Sequence, residues 1–216
     1  MNKLVPSVSV ILLAFLAGCV SSPDSRQAAD PREAAPLAVL RSDASVQDKA
    51  RACQQLADFA GPAAVPALAG LLSHEQLGDY ARSGLESMAD PAAGAALRSA
   101  LGSLRGRQLA GAINSLGVRR DAAAVPDLRR FALDPAGGRT ALGLVGDAAA
   151  ARALQDVLSQ GSQSVRLPAA HAALEAADRL RKSGGSAPAR SLLEAAVKAV
   201  PAGPVADAAR RQLAAR

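Results

Sequence analysis

A helical pattern that recurs about every 30 residues restricts the fold more than any other feature of this sequence. The string VPAL at residues 65–68 returns as VPDL at residues 125–128, and AALR at residues 95–98 lies at the midpoint. The preceding segments align with spacings of 29 and 31 residues at three pairs, Ala52 and Leu56, Ala81 and Leu85, and Ala112 and Leu116. Two helical segments per unit of this length predict an all-α fold of the α-solenoid type, in which each unit packs on its neighbours.

Start and stop signals delimit the predicted helices. Asp90 stands before Pro91 as an N-cap, Asp121 and Asp147 are further N-cap candidates, and Ser73 with Gln76 matches a capping box. Glycine residues at positions 61, 102, 117 and 146 stand where helices should end. We therefore predict helices at residues 34–41, 46–59, 62–72, 75–88, 91–104, 107–117, 122–133, 136–145, 148–159, 165–182, 187–200 and 205–215.

The N-terminus carries an export signal. Lys3 precedes a mostly apolar run, Val5 to Leu16, that is too short to span a bilayer and is typical of a secretory signal. The run ends in Leu16 Ala17 Gly18 Cys19, which resembles the lipobox of bacterial lipoproteins. The resemblance implies cleavage after residue 18 and lipid attachment to Cys19, and Val20 in the next position favours the outer membrane over the inner one. The alternatives are an ordinary secretory signal with a chance cysteine and a cytosolic start.

These signals divide the chain into four parts. Residues 1–18 form the signal peptide, and residues 19–33 form a polar tether after the lipidated cysteine. Residues 34–160 hold the repeat array, and residues 161–216 form a C-terminal helical cap whose last two helices resemble a TPR pair. A polar-faced terminal repeat of the same array is the simpler interpretation of the cap.

The repeat segments also resemble a known family. Residues 61–72 (GPAAVPALAGLL) and 121–133 (DAAAVPDLRRFAL) resemble second helices of HEAT repeats of the phycobilisome-lyase type. The string INSLGVRRD at residues 113–121 is similar to a group of exported bacterial HEAT-repeat proteins that have no assigned activity. The likeness covers about residues 36–160. It implies the fold and leaves the function open.

Composition and motifs argue against an enzyme. Only 2% of the residues are aromatic and Trp is absent, which excludes aromatic-rich β folds and grooves that stack single-stranded nucleic acid. The sequence has no nucleophile elbow, phosphate-binding loop or dinucleotide fingerprint. HEAT-like di-iron enzymes use several His-Glu pairs, whereas this chain has one, His74 and Glu75. We expect no catalytic residue, no metal and no cofactor.

Cys53 is the remaining thiol once Cys19 carries lipid, so no intramolecular disulfide is expected. It lies in a helical pattern, where a small buried cysteine is the ordinary arrangement. A reactive or intermolecular thiol is the alternative.

Polar and amphipathic residues on consecutive repeats are the candidate interaction site. They are Tyr80, Arg82, Glu86, Asn114, Arg119 and Arg120. Equivalent helix faces lie side by side in a solenoid, and Tyr and Arg are frequent anchors at interfaces. In the alternative interpretation, the charged members join one repeat to the next and Asn114 bonds a neighbouring loop carbonyl.

The formal net charge is +6, with 21 arginines and 4 lysines. An exported protein has no routine access to nucleic acid, so we expect an envelope partner instead. The favoured hypothesis is a non-catalytic, lipid-anchored scaffold that binds another protein of the bacterial cell envelope from its periplasmic side. The alternatives are a basic module for anionic glycan or lipid, and an accessory subunit of an exported enzyme complex.

Overall fold

The fold is entirely helical in the part of the chain that the computed structural model describes, residues 30–134 and 137–215. Those residues contain no strand, which confirms the all-α prediction. The predicted signal peptide and Cys19 lie outside the described residues. The helices are α1 (Ala34–Arg41), α2 (Val46–Phe59), α3 (Val65–Ala69), α4 (Gly78–Ser87), α5 (Pro91–Ala100), α6 (Gly106–Val118), α7 (Val125–Arg130), α8 (Gly138–Val145), α9 (Ala148–Gln160), α10 (Gln163–Lys182), α11 (Ser186–Ala199) and α12 (Pro204–Ala214).

Three predicted N-caps are confirmed, and one is wrong. The carboxylates of Asp90, Asp121 and Asp147 accept hydrogen bonds from backbone N–H groups two or three residues ahead. The predicted capping box at Ser73 does not form. Instead, Nδ1 of His74 accepts from the backbone N–H groups of Gln76 and Leu77, each at 3.2 Å, and α4 begins three residues later than predicted.

Three helices stop earlier than the apolar pattern predicts, namely α3, α5 and α7. The residues that follow them form turns closed by hydrogen bonds from residue i+3 to residue i. Examples are Leu72 N–H to the Ala69 carbonyl and Ala132 N–H to the Arg129 carbonyl. Tighter turns of this kind keep the same apolar residues facing inward, so hydrophobic periodicity alone does not locate the end of the α-helix.

The helices are arranged in two rows. In one row, α2 packs on α4, α4 on α6, α6 on α8 and α8 on α10. In the other row, α3 contacts α5, α7 contacts α9, and α9 contacts α11. Consecutive helices of the chain also touch, for example α7 with α8 and α10 with α11, so the core lies between the rows.

The sequence period reappears as a register of buried side chains. Ala52, Ala81 and Ala112 are buried at equivalent places on α2, α4 and α6, and Ala141 continues the series on α8. In the other row, Leu68, Leu97 and Leu128 have no exposed surface. Because alanine is small, neighbouring helix axes approach closely where it is buried.

Gly117 has a second role besides its predicted place at a helix end. It is the second-last residue of α6, which ends at Val118. A Cβ at this position would stand 2.8 Å from the Cα of Ala141 and 3.0 Å from its Cβ, on the neighbouring helix α8. The absence of a side chain at Gly117 therefore lets α6 and α8 come together.

The end of α6 is made by Arg120. Its φ is 52°, in the left-handed region, and no other described residue except glycine has a positive φ. Its N–H bonds the Gly117 carbonyl at 2.8 Å, and the next N–H, of Asp121, bonds the Leu116 carbonyl at 3.0 Å. These two bonds form a Schellman motif, a helix ending in which glycine is the usual left-handed residue.

The folded body begins three residues before the predicted boundary at residue 34. Pro31–Glu33 form a 3₁₀ turn, and Glu33 is only 2% exposed. Its Oε1 atom accepts a hydrogen bond of 2.7 Å from the N–H of Gly61. This contact fixes the start of the body against the turn that follows α2.

Replacement of Gly117 by Ala tests the close contact between α6 and α8. The added methyl group overlaps backbone, so we expect the free energy of unfolding to fall by about 1–3 kcal/mol. Gly102→Ala is the matched control, because no atom lies within 4 Å of its added Cβ. Denaturant unfolding measures both variants, and equal stability of the two would contradict the packing described.

Replacement of Arg120 by Gly removes the left-handed strain. We expect the free energy of unfolding to rise by about 0.5–1 kcal/mol, or a few degrees in Tm. Arg120→Ala removes the same side chain but keeps the strain, so its Tm should stay near that of the unmodified chain. Thermal unfolding of the two variants separates the backbone effect from the loss of charge.

Candidate functional site

The six candidate residues lie on two neighbouring helices and the turn between α6 and α7. Tyr80, Arg82 and Glu86 are on α4, Asn114 is on α6, and Arg119 and Arg120 follow the end of α6. Because α4 packs on α6, the candidates on these two helices lie on neighbouring elements, whereas Arg120 lines a cleft with Glu175 and Asp178 of α10. The six side chains fall into two groups with different surroundings.

Arg82 and Glu86 form one group with a residue that the sequence analysis did not single out, Ser115. Arg82 Nη1 lies 3.0 Å from Glu86 Oε2 and donates to Ser115 Oγ at 2.7 Å. Ser115 donates in turn to Glu86 Oε2 at 2.6 Å and is completely buried. A buried hydroxyl needs such partners, and this one joins α4 to α6.

The network continues to the surface through Asp79. Its Oδ1 lies 3.8 Å from Arg82 Nε, and its Oδ2 lies 3.3 Å from Nη1 of Arg107 on α6. The Arg107 side chain is 71% exposed, so this outer pair adds little stability. The buried part of the network carries most of the connection between the two helices.

The Arg119 side chain binds backbone carbonyls at the end of α4 and in the turn that follows it. Its Nη1 donates to the carbonyls of Leu85 at 2.7 Å and Glu86 at 3.1 Å, and also to that of Met88. Its Nη2 donates to the Asp90 carbonyl at 3.0 Å. The last carbonyls of a helix have no partner within the helix and carry partial negative charge, so a guanidinium group there satisfies both needs.

The partners of these residues lie about one period away in the sequence. Arg119 bonds carbonyls 29 to 34 residues earlier, and Ser115 bonds Glu86 across 29 residues. Similarly, Ser87 Oγ at the end of α4 donates to the Ala57 carbonyl near the end of α2 at 2.7 Å. Arg82, Glu86 and Arg119 therefore join neighbouring helices, as the alternative interpretation has it for the charged candidates, whereas Arg120 does not.

The other three candidates are open to solvent. Tyr80 is 40% exposed, and Asn114 and Arg120 are also exposed. Their side chains have no hydrogen-bond partner among the described residues, so the expected bond from Asn114 to a loop carbonyl is absent there. Val118, one helical turn beyond Asn114, is 48% exposed. We call the exposed residues Tyr80 on α4 and Asn114 and Val118 on α6 the α4–α6 face.

Arg98 and Asp121 form a second link that was not predicted. An Arg98 Nη1 group on α5 bonds Asp121 Oδ2, while Asp121 Oδ1 caps the 3₁₀ turn before α7. The Asp121 side chain is 12% exposed. The helix-start pattern identified Asp121 as a cap, but nothing in the sequence indicates its distant arginine partner.

Metal binding and thiol chemistry concern residues outside the six candidates. Among residues 30–134 and 137–215, no group of three or more His, Cys, Asp or Glu side chains is placed to hold a metal ion. Cys53 is fully buried and free, and burial raises the pKa of its thiol to about 11. The thiolate is the reactive form, so this cysteine has the environment of an inert core residue.

The lengths and hydropathy of the helices in the described part of the chain bear on membrane spanning. None of its helices is both long enough and apolar enough to cross a bilayer.

Family models and curated sequences provide no relative of this chain. No protein-family model matches the chain, and comparison with curated protein sequences gives no significant match. The residues and contacts described above are therefore the basis for the proposed function.

Replacement of Arg119 by Ala tests its role as a cap for α4. Four carbonyls lose charge-assisted bonds, so we expect the free energy of unfolding to fall by about 2–4 kcal/mol. Arg119→Lys should lose most of this free energy, because one ammonium group cannot reproduce the planar fork. Asn114→Ala is the control and should change stability by less than about 0.5 kcal/mol. Equal stability of all variants would contradict the capping role, and the Arg119 side chain would then be available to bind a partner.

The reactivity of Cys53 follows from its burial. In a chain carrying Cys19→Ala, so that Cys53 is the only thiol, Ellman's reagent should react slowly near pH 8 and rapidly after unfolding. Because the pKa of the Cys53 thiol is higher in the folded state, the buried thiol contributes to the free energy of unfolding in full below the ordinary thiol pKa of 9.0. This contribution is lost as the pH rises toward about 11. Rapid labelling of the native chain would indicate an accessible thiol.

Proposed function

We propose that this protein is a non-catalytic, lipid-anchored scaffold of HEAT-like repeats that binds another protein of the bacterial cell envelope. The resemblance of residues 16–19 to a lipobox supports the anchor. The register of buried alanines at Ala52, Ala81, Ala112 and Ala141, together with the two rows of helices, supports a solenoid with a C-terminal helical cap. The proposed location is the outer membrane, facing the periplasm.

One observation carries the interaction proposal. The charged candidates Arg82, Glu86 and Arg119 are held by contacts between α4 and α6, whereas Tyr80, Asn114 and Val118 on the same two helices are exposed. The first group holds the two helices rigidly together, and a rigid backbone lowers the entropic cost of binding. The second group presents a tyrosine, an amide and an aliphatic side chain, which are suited to an interface with another protein.

The anchor has a direct test. We expect the full chain to fractionate with membranes and to incorporate labelled palmitate, because two or three acyl chains give stable anchoring. Cys19→Ala should abolish both properties. Cys53→Ala is the matched control and should retain them, since it removes the other cysteine. Membrane association and palmitate labelling of Cys19→Ala at the unmodified level would remove the anchor from the proposal.

The interaction face is tested by affinity capture of the tagged chain from crosslinked envelope, followed by mass spectrometry. We expect one stoichiometric protein partner, which Cys19→Ala loses through mislocalisation. Tyr80→Ala combined with Asn114→Ala should reduce its recovery by about tenfold or more. Arg119 is left unchanged in these variants because it supports α4.

Leu167→Ala combined with Gln163→Ala is the control for this face. Both residues are exposed on α10, so the pair removes a similar amount of surface elsewhere. This control should recover the partner at the unmodified level. Equal recovery by the α4–α6 face variant would show that the face is the wrong one, and recovery of no protein at all would contradict the scaffold function.

A further inference from the structure

Two adjoining clefts lie on the row formed by α7, α9 and α11, away from the α4–α6 face. The first, of about 640 Å³, lies between α7 and α9, and the second, of about 560 Å³, lies between α9 and α11. Gln155 and Asp156 on α9 line both clefts and separate them. We call the pair the basic double cleft.

The charge of the basic double cleft is strongly one-sided. Its charged lining residues are Arg129, Arg152, Arg166 and Lys198, with Asp156 as the single carboxylate. Arg129 pairs with that carboxylate at 2.7 Å. The cations of the other three residues have no carboxylate partner among the described residues.

Two of these cations are available to a ligand. Arg152 on α9 and Lys198 on α11 are exposed, and neither side chain has a hydrogen bond or ion pair with a described residue. Arg166 donates to the Ser159 carbonyl at a long 3.3 Å, which leaves most of its guanidinium free. One unpaired cation therefore stands in the first cleft and two in the second.

The remaining lining is largely aliphatic. Val125, Pro126, Ala149 and Ala153 line the first cleft, and Leu158, Ala195 and Ala199 line the second. Val125 and Leu158 are almost fully buried, so they lie at the base of the clefts. A ligand that fills both clefts should therefore combine negative charges with aliphatic groups.

We propose that the basic double cleft binds a peptide segment of a partner protein in which Asp or Glu residues alternate with small aliphatic residues. Guanidinium groups bind carboxylates with matching two-pronged geometry, and the aliphatic base takes the side chains between them. A polysaccharide lacks such side chains, and the flat surface of a membrane does not enter clefts between helices. The inference rests on the proposed function in assuming a protein partner, but it uses a different surface.

The test is direct binding of a synthetic peptide of alternating Glu and Ala to the purified full chain in detergent, measured by calorimetry. A Gln-Ala peptide of the same length is the ligand control. We expect binding of the Glu peptide, with loss at about 1 M salt, where the Debye length is about 3 Å. Equal affinity for the Gln peptide would overturn the proposal.

Arg152→Glu locates the binding site. The residue is exposed on the second turn of α9, so charge reversal leaves the core unchanged. We expect it to weaken binding by roughly tenfold, and Lys198→Gln to weaken it by a few-fold. Arg41→Glu on α1 makes the same charge change at an exposed residue with no ion pair in the described chain, and should have no effect. Equal affinities for Arg152→Glu and Arg41→Glu would overturn the proposal.

Two further ligands distinguish other anionic partners. Polygalacturonate presents carboxylates on a glycan, and vesicles of phosphatidylglycerol present anionic lipid. Tighter binding of either one than of the Glu peptide, with the same loss in Arg152→Glu, would overturn the peptide assignment. Failure of the Glu peptide to bind would overturn the proposal for the basic double cleft and would not affect the scaffold function. The scaffold function is tested separately, by the envelope capture experiment on the α4–α6 face.

Discussion

Close approach of neighbouring helices at small residues is the constraint on which the rest of this structure depends. Gly117 stands against Ala141, and Gly143 on α8 stands in the same way against Ala172 on α10. Small side chains bury little surface, so each contact stabilises the fold only if the helices come near enough for many atoms to touch. Small buried residues such as Ala141 and Ala172 are thus a requirement of the packing geometry.

Close packing leaves little room for buried polar groups. The few that are present join one helix to a neighbouring one. Ser115 is buried between α4 and α6, where Arg82 and Glu86 satisfy its hydroxyl. Arg119 reaches back to the end of α4 and bonds its terminal carbonyls. Without these partners the same groups would be buried and unsatisfied, which costs more free energy than the bonds themselves contribute. The order of these helices is therefore fixed by a few specific polar contacts as well as by apolar packing.

The sequence predicted the helices well and their polar connections poorly. Residues 46–59 were predicted and observed with the same bounds, because Ser45 caps the start and the apolar period is regular. The ends of α3, α5 and α7 were not predicted, since tighter turns preserve the apolar pattern. The site was harder still. Arg82 and Arg119 are found in the sequence by residue type, but their partners depend on which helices meet, and that information is tertiary. Arg119 lies 29 to 34 residues from its partners, which is close to the period of about 30 residues in the sequence. This period is the one feature of the sequence that indicates where the partners lie.

The two-row arrangement also affects how the chain acquires its structure. Almost every extensive contact joins helices that are adjacent, or next but one, in the sequence. The loops that must close are short, and folding rates rise as contacts become more local. A chain that emerges N-terminus first can therefore add each helix to an already folded edge without waiting for its C-terminal end. That edge, with its apolar residues briefly uncovered, is the surface most exposed to aggregation while the chain folds.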